Sequence, residues 1–103
     1  MIFRKINKFY LNRADKVVKT AKEAIAGVKS GDFLLFGGFG ICGIPMNIIN
    51  EISKTKIDNL TVASNDGGAA DIHGNNAWGL EYLFLNKQVK RMISSYLGYN
   101  KHY

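Results

Sequence analysis

Phe33-Leu34-Leu35-Phe36-Gly37-Gly38-Phe39-Gly40-Ile41-Cys42-Gly43-Ile44-Pro45 is a short apolar run that breaks into four glycines and then a proline. The pattern predicts a strand over Phe33–Phe36 that feeds a helix through a ligand-facing loop. Backbone without Cβ atoms can approach a ligand closely, and open α/β folds place ligands at the carboxyl edge of the sheet. Pro45, with its locked φ and missing N–H, suits the first turn of the following helix. The amides around it can then point at an anion or a developing oxyanion.

On the amino-terminal side, Val17, Val18, Ala21, Ala24, Ile25 and Val28 recur at helical spacing, with Lys16, Lys19, Lys22 and Glu23 on the other face. This predicts a helix from an Asp15 N-cap to about Val28, stopped by Lys29-Ser30-Gly31-Asp32. The lysines read as a solvated helix face. On the carboxyl side, Met46, Ile48, Ile49 and Ile52 form the buried stripe of a second helix that ends near Lys54-Thr55-Lys56. A second strand is expected over Leu60–Ser64, then a long polar loop from Asn65 to Asn76. Ala77–Asn86 reads as a third helix with Trp78 and Phe84 in the core, and Val89–Tyr96 as a third strand.

Helices alternating with strands predict an α/β fold with a mostly parallel sheet. The first strand is apolar at every position, as expected when helices cover both faces in a three-layer α/β/α sandwich. No helical pattern follows the third strand before Tyr103, so an incomplete domain with an open face or edge is expected.

A chain of 103 residues holds one domain at most. A lone cysteine, Cys42, excludes an internal disulfide and points to a reducing compartment. No apolar run approaches the roughly 20 residues that span a bilayer, which argues against a membrane partner. The net charge of +6 lies within residues 1–22, where Arg4, Lys5, Lys8, Arg13, Lys16, Lys19 and Lys22 face Asp15 alone. The rest is neutral, so the basic balance does not argue for a nucleic-acid partner. Residues 1–13 place Ile2, Phe3, Ile6, Phe9 and Tyr10 on one helical face, among basic residues and no acid. That is the pattern of a mitochondrial transit peptide. The expected organisation is therefore a basic segment 1–13, directing the protein to the mitochondrial matrix or serving as the frayed terminus of a cytoplasmic one, and a domain over 14–103.

The glycine stretch admits several chemistries. Gly38-Phe39-Gly40-Ile41-Cys42-Gly43 matches G-x-G-x-x-G, but Pro45 starts the helix after the third glycine, whereas a dinucleotide fold keeps that glycine inside the helix. A Walker loop is excluded because Ile44-Pro45 stands where Lys-Ser/Thr is needed. Cys42 as a nucleophile near a helix start lacks the second glycine of a nucleophile elbow, and its partner base would be His73 or His102. The alternative is a small buried side chain under the loop. Asp66, Asp71 and His73 match no metal-ligand spacing. A small non-catalytic α/β module that binds a phosphate or nucleotide on the Gly37–Gly43 loop remains a separate reading.

Four stretches carry a resemblance. Gly31-Asp32 with Leu34-Leu35-Phe36, Gly37-Gly38-Phe39 and Gly43-Ile44-Pro45 resembles the amino-terminal signature of family I coenzyme A transferases. Leu60-Thr61-Val62-Ala63-Ser64-Asn65, Trp78-Gly79-Leu80, and Gln88 through Gly98 resemble the branch that acts on 3-oxoacids. The resemblance covers about residues 14–100 and implies the amino-terminal part of the A half of such an enzyme. It implies ping-pong transfer of CoA from an acyl-CoA such as succinyl-CoA to a 3-oxoacid such as acetoacetate, through a glutamyl-CoA thioester. Coenzyme A is then a substrate, and no cofactor or metal is expected. The implied substrate wall comprises Gly37, Gly38, Phe39, Gly40 and Gly43, with amides of Gly38, Phe39 and Gly40 facing the oxyanion and the Asn65 side chain donating a hydrogen bond.

The family's nucleophilic glutamate sits in a Ser-Glu-Asn-Gly stretch that these residues lack; Glu23, Glu51 and Glu81 all fall in predicted helices. The implied partners are therefore a further portion of the chain or a B subunit carrying that glutamate, in a homo-oligomer when complete, and this chain alone is expected to be inactive. The sequence departs from the family pattern at Asp66, where a second asparagine is usual, and in its longer loop through Asn76. A negative charge at Asp66 would oppose a carboxylate substrate if it faced inward.

Overall fold

A computed structural model of the chain describes residues 16–40, 42–70 and 77–98. The first element is a single helical turn, α1 (Ala21–Ala24). Its start is set by Thr20, whose Oγ1 accepts a 3.1 Å hydrogen bond from the Glu23 amide, while the Glu23 carboxylate accepts one from the Lys19 amide. This reciprocal arrangement resembles a capping box and fixes the helix start well after Asp15. The expected long helix is thus shortened at both ends: Val17 is 90% exposed, and only Ile25 of its apolar stripe is fully buried. Asp15 and the segment 1–13 lie outside the described residues.

Gly31, at φ +88°, turns the chain into strand β1 (Phe33–Leu35). Helix α2 (Met46–Ser53) follows, then strand β2 (Leu60–Ala63). A short antiparallel pair, β3 (Ala69–Ala70) and β4 (Ala77–Trp78), precedes helix α3 (Glu81–Leu85) and strand β5 (Val89–Ile93). β1, β2 and β5 form a parallel sheet in that order, the incomplete α/β architecture expected from the alternation of elements.

Side chains alternate across a pleated sheet. Leu34, Val62 and Met92 are in register and pack with Leu60 toward Ile49 and Ile52 of α2 and Leu83 of α3. Leu60, Val62 and Leu83 have no exposed surface, and Ile49 and Ile52 are 1% exposed. Gln88 locks this layer. Its side-chain amide donates to the carbonyls of Ile52, Thr55 and Ile57 at 2.9, 3.3 and 2.8 Å, tying the carboxyl end of α2 and the segment after it to the start of β5.

The next row along the sheet, Leu35, Ala63 and Ile93, faces away from these helices, as do Phe33 and Arg91 in the row before. Phe33 is 59% and Leu35 78% exposed. Among the described residues helices cover one face only, so the first strand is not covered on both faces and the open face expected of an incomplete domain is the one that carries Phe33 and Leu35. A correction concerns residues 77–86. The chain extends at Ala77–Trp78, turns through Gly79 at φ +62°, and becomes helical only at Glu81. Trp78 is accordingly 39% exposed on β4 and not part of a helical core stripe, whereas Phe84 packs against the core.

Candidate functional site at the glycine loop

Three connections meet at the carboxyl edge of the parallel sheet: the loop after β1, the loop after β2, and the turn before α3. Gly37, Gly38 and Gly40 come from the first, Ser64, Asp66 and Gly68 from the second, and Gly79 and Leu80 from the third. Between them, over Ile44 and Ile49, lies a cavity of about 10 Å³, room for one water-sized atom. This is the crevice at which open α/β sheets take ligands.

The loop after β1 is closed on itself by two backbone bonds. Phe39 and Cys42 face each other as a miniature hairpin, with the Phe39 amide donating to the Cys42 carbonyl at 2.9 Å and the Cys42 amide returning the bond at 3.0 Å. The Phe39 amide is therefore spent inside the loop, while its ring is 76% exposed. The same hairpin turns Cys42 outward: it is exposed, which corrects the reading of a small side chain buried under the loop. The plug under the loop is instead Ile44. A Cβ at Gly38 would meet Ile44 Cγ1 at 3.2 Å, and one at Gly79 would meet Ile44 at 3.3 Å. Pro45 stands at the N-cap of α2, one position ahead of the first helical residue. Gly43, at φ +72°, makes the bend into it and lies outside the cavity wall.

The second loop is anchored to β5. Asn65 donates through Nδ2 to Ser95 Oγ at 3.0 Å, and its carbonyl accepts from Ser94 Oγ, Ser95 Oγ and the Tyr96 amide. The structure thus brings Gly37, Gly38 and Gly40 together around the cavity but directs the Asn65 side chain toward Ser95 and away from the glycines. Asp66 and Ser64, its two neighbours, line the cavity in its place.

Asp66 is 8% exposed, and among the described residues its Oδ1 is buried with no hydrogen-bond partner. Its backbone is held by a parallel bridge to Tyr96, and the next amide, that of Gly67, donates to the Tyr96 carbonyl at 3.2 Å. Gly68 closes the arrangement. At φ +79°, a Cβ there would collide with the Trp78 carbonyl oxygen and would lie 2.8 and 2.9 Å from the amides of Leu80 and Glu81. Gly68 and Gly79 are wall residues that sequence reasoning does not single out; the doublet Gly67-Gly68 inside an otherwise polar loop is the signal that could have found the first of them.

Among the described residues no group of three His, Cys, Asp or Glu side chains could hold a metal ion, and no helix is long and apolar enough to cross a membrane. Asp71, His73 and His102 lie outside the described residues. Glu51 and Glu81 stand on α2 and α3 as expected, and Glu81 is buried.

Comparison with known proteins places the sequence among named relatives. The chain is 46% identical over 86 residues to the A subunit of the probable succinyl-CoA:3-ketoacid coenzyme A transferase of Bacillus subtilis, covering 84% of this chain and 34% of that protein. It is 44% identical over 87 residues to the A subunit of the succinyl-CoA:3-ketoacid coenzyme A transferase of Helicobacter pylori, covering 84% and 35%. It is 39% identical over 79 residues to the mitochondrial succinyl-CoA:3-ketoacid coenzyme A transferase 2A of Rattus norvegicus, covering 77% and 14%. The chain thus spans about a third of the length of the bacterial relatives it matches. A family model described as coenzyme A transferase matches residues 18–102, and on that match and these identities the chain belongs to the coenzyme A transferase family.

Proposed function

We propose that this chain is the amino-terminal part of the A half of a 3-oxoacid CoA-transferase, with domain residues 14–103 supplying one wall of the site. The reaction is transfer of CoA from succinyl-CoA to a 3-oxoacid such as acetoacetate. A glutamate outside this chain attacks the thioester carbonyl, CoA is held as a glutamyl thioester, and the second acid then takes it. Coenzyme A is a substrate, with no separate cofactor. The observation that carries the reading is the convergence of Gly37, Gly38 and Gly40 with Ser64 and Asp66 over one cavity, in a chain of this family.

In this reading the wall works by close approach and by backbone donors. The side-chain-free loop lets a thioester and a carboxylate lie near one another, and the amides of Gly38 and Gly40 face the charge that develops on the carbonyl oxygen. The Phe39 amide is excluded from that task by its bond to Cys42. Asn65 holds Ser95 and positions the second loop.

The open sheet face fits the same reading. Phe33, Leu35 and Ile93 are then covered by further residues of the same polypeptide, for which the roughly threefold greater length of the bacterial relatives leaves ample chain. The glutamate comes from that remainder or from a B subunit, and the complete enzyme is a homo-oligomer of such units. Residues 1–13 act as a mitochondrial targeting segment, a reading supported by their basic amphipathic pattern and by a mitochondrial relative; import into isolated mitochondria, with and without these residues, tests it.

Gly37→Ala tests the wall with least risk to folding. Its new Cβ meets only the Gly43 carbonyl, at an ordinary 3.6 Å, and no positive φ is involved. In the native assembly, kcat/KM for CoA transfer is expected to fall by about tenfold or more at unchanged thermal stability, as misplacement of reacting groups does. Full activity in Gly37→Ala contradicts the placement of the loop at the site.

A further inference from the structure

We infer that Asp66 is a specificity-determining residue whose carboxylate accepts a hydrogen bond from a donor group on the ligand that docks against the glycine loop. The inference rests on the functional reading above. It starts from a buried side-chain acceptor at the cavity that has no partner among the described residues, Oδ1 of a side chain that is 8% exposed. A buried polar atom is satisfied in nearly all working structures, because an unmade hydrogen bond there carries the full desolvation cost.

The carboxylate has little freedom to find a partner elsewhere. Its strand end is pinned to Tyr96 on one side, and on the other Gly68 is packed against Trp78, Leu80 and Glu81 too tightly to admit even a methyl group. No basic side chain is among the residues that line the cavity, so an ion pair does not supply the missing bond there. The space beside Asp66 admits one heavy atom. What fits is a single atom of a ligand tip, or of a side chain from the rest of the enzyme, and its chemistry follows from the acceptor: a hydroxyl or an amide N–H is favoured, whereas a carbonyl or carboxylate oxygen at the same point meets acceptor against acceptor. Two groups could supply such a donor. One is an amide N–H of the CoA arm; the other is a hydroxyl on an acceptor acid that carries one, which the 3-oxoacid of the proposed reaction does not.

Asp66→Asn keeps the shape and turns one acceptor into a donor. In the native assembly, CoA transfer from succinyl-CoA is measured to acetoacetate and to its 3-hydroxy counterpart, 3-hydroxybutyrate, along with the KM for succinyl-CoA. The expected result is a ratio of kcat/KM, hydroxy acid over oxo acid, at least tenfold lower in Asp66→Asn than in the wild type. Sites that bind a substrate hydroxyl discriminate by far more than sites that measure size. An unchanged ratio with a KM for succinyl-CoA raised about tenfold assigns the donor to the CoA arm and supports the recognition role. If neither quantity moves, Asp66 is satisfied by a resident water or by the rest of the enzyme, and the inference is overturned. Absence of transfer to acetoacetate in the wild type overturns the functional reading and this inference with it; transfer to acetoacetate but not to 3-hydroxybutyrate leaves the KM for succinyl-CoA as the deciding quantity. Asp66→Ala, which offers neither acceptor nor donor, guards against an unfolded Asn variant: it too must lower the hydroxy-acid ratio or raise the KM for succinyl-CoA, and wild-type values of both overturn the inference.

Discussion

The two faces of the parallel sheet both present large apolar side chains and have opposite fates. Leu34, Val62 and Met92 point toward α2 and α3 and join a core whose largest members have essentially no exposed surface. One residue along each strand, Leu35, Ala63 and Ile93 point the other way, and Leu35 and Ile93 are 78% and 45% exposed. An apolar pattern therefore records which surfaces a strand is built to bury, while the observed burial records which neighbours this stretch of chain brings with it.

Substitutions that separate the two faces follow in order of expected size. Leu83→Ala removes a wholly buried side chain from between α3 and the covered face, and a loss of roughly 2–5 kcal/mol in urea denaturation is expected. Gln88→Leu keeps much of the volume but leaves the carbonyls of Ile52, Thr55 and Ile57 without their shared donor, for a loss of about 1–3 kcal/mol in the same measurement. Leu35→Asn on the open face is expected to change the stability of the 103-residue chain by no more than about 0.5 kcal/mol. The same substitution in the native assembly, where further chain is proposed to cover that face, costs markedly more. Equal, small effects in both settings would show that the face stays open and would remove the sharpest difference between the two sides.

Much of this fold is legible in the sequence because its signals are local. The run Phe33–Leu35, the glycines after it and the stripe Ile49–Ile52 each announce an element through spacing alone, and the alternation of helices and strands announces a parallel sheet. The capping of α1 at Thr20 is also written there, as Thr20-Ala21-Lys22-Glu23, but the longer apolar periodicity from Val17 masks it. Residues 77–86 mislead for a different reason. Trp78 and Leu80 fit a helical stripe, yet Ala77–Trp78 pairs with Ala69–Ala70, and no single-stretch pattern reveals a two-residue antiparallel pairing.

The candidate site shows the same division. The glycine loop is recognisable, since glycine and proline punctuate a chain whatever surrounds them. Which of two adjacent side chains, Asn65 or Asp66, turns toward that loop depends on a bond to Ser95 thirty positions away, just past the end of β5. The Phe39 amide looks free in the sequence because nothing in its neighbours' identities announces the hairpin bond to Cys42.

Whether this loop walls a CoA-transfer site is the central claim. The decisive measurement is the steady-state rate of CoA transfer from succinyl-CoA to acetoacetate by the native assembly containing this chain, with Gly37 intact and with Gly37→Ala. Transfer with ping-pong kinetics, lowered at least about tenfold by Gly37→Ala at an unchanged melting temperature, is the predicted result. Transfer that is indifferent to the added methyl group, or absent altogether from the intact assembly, would contradict it.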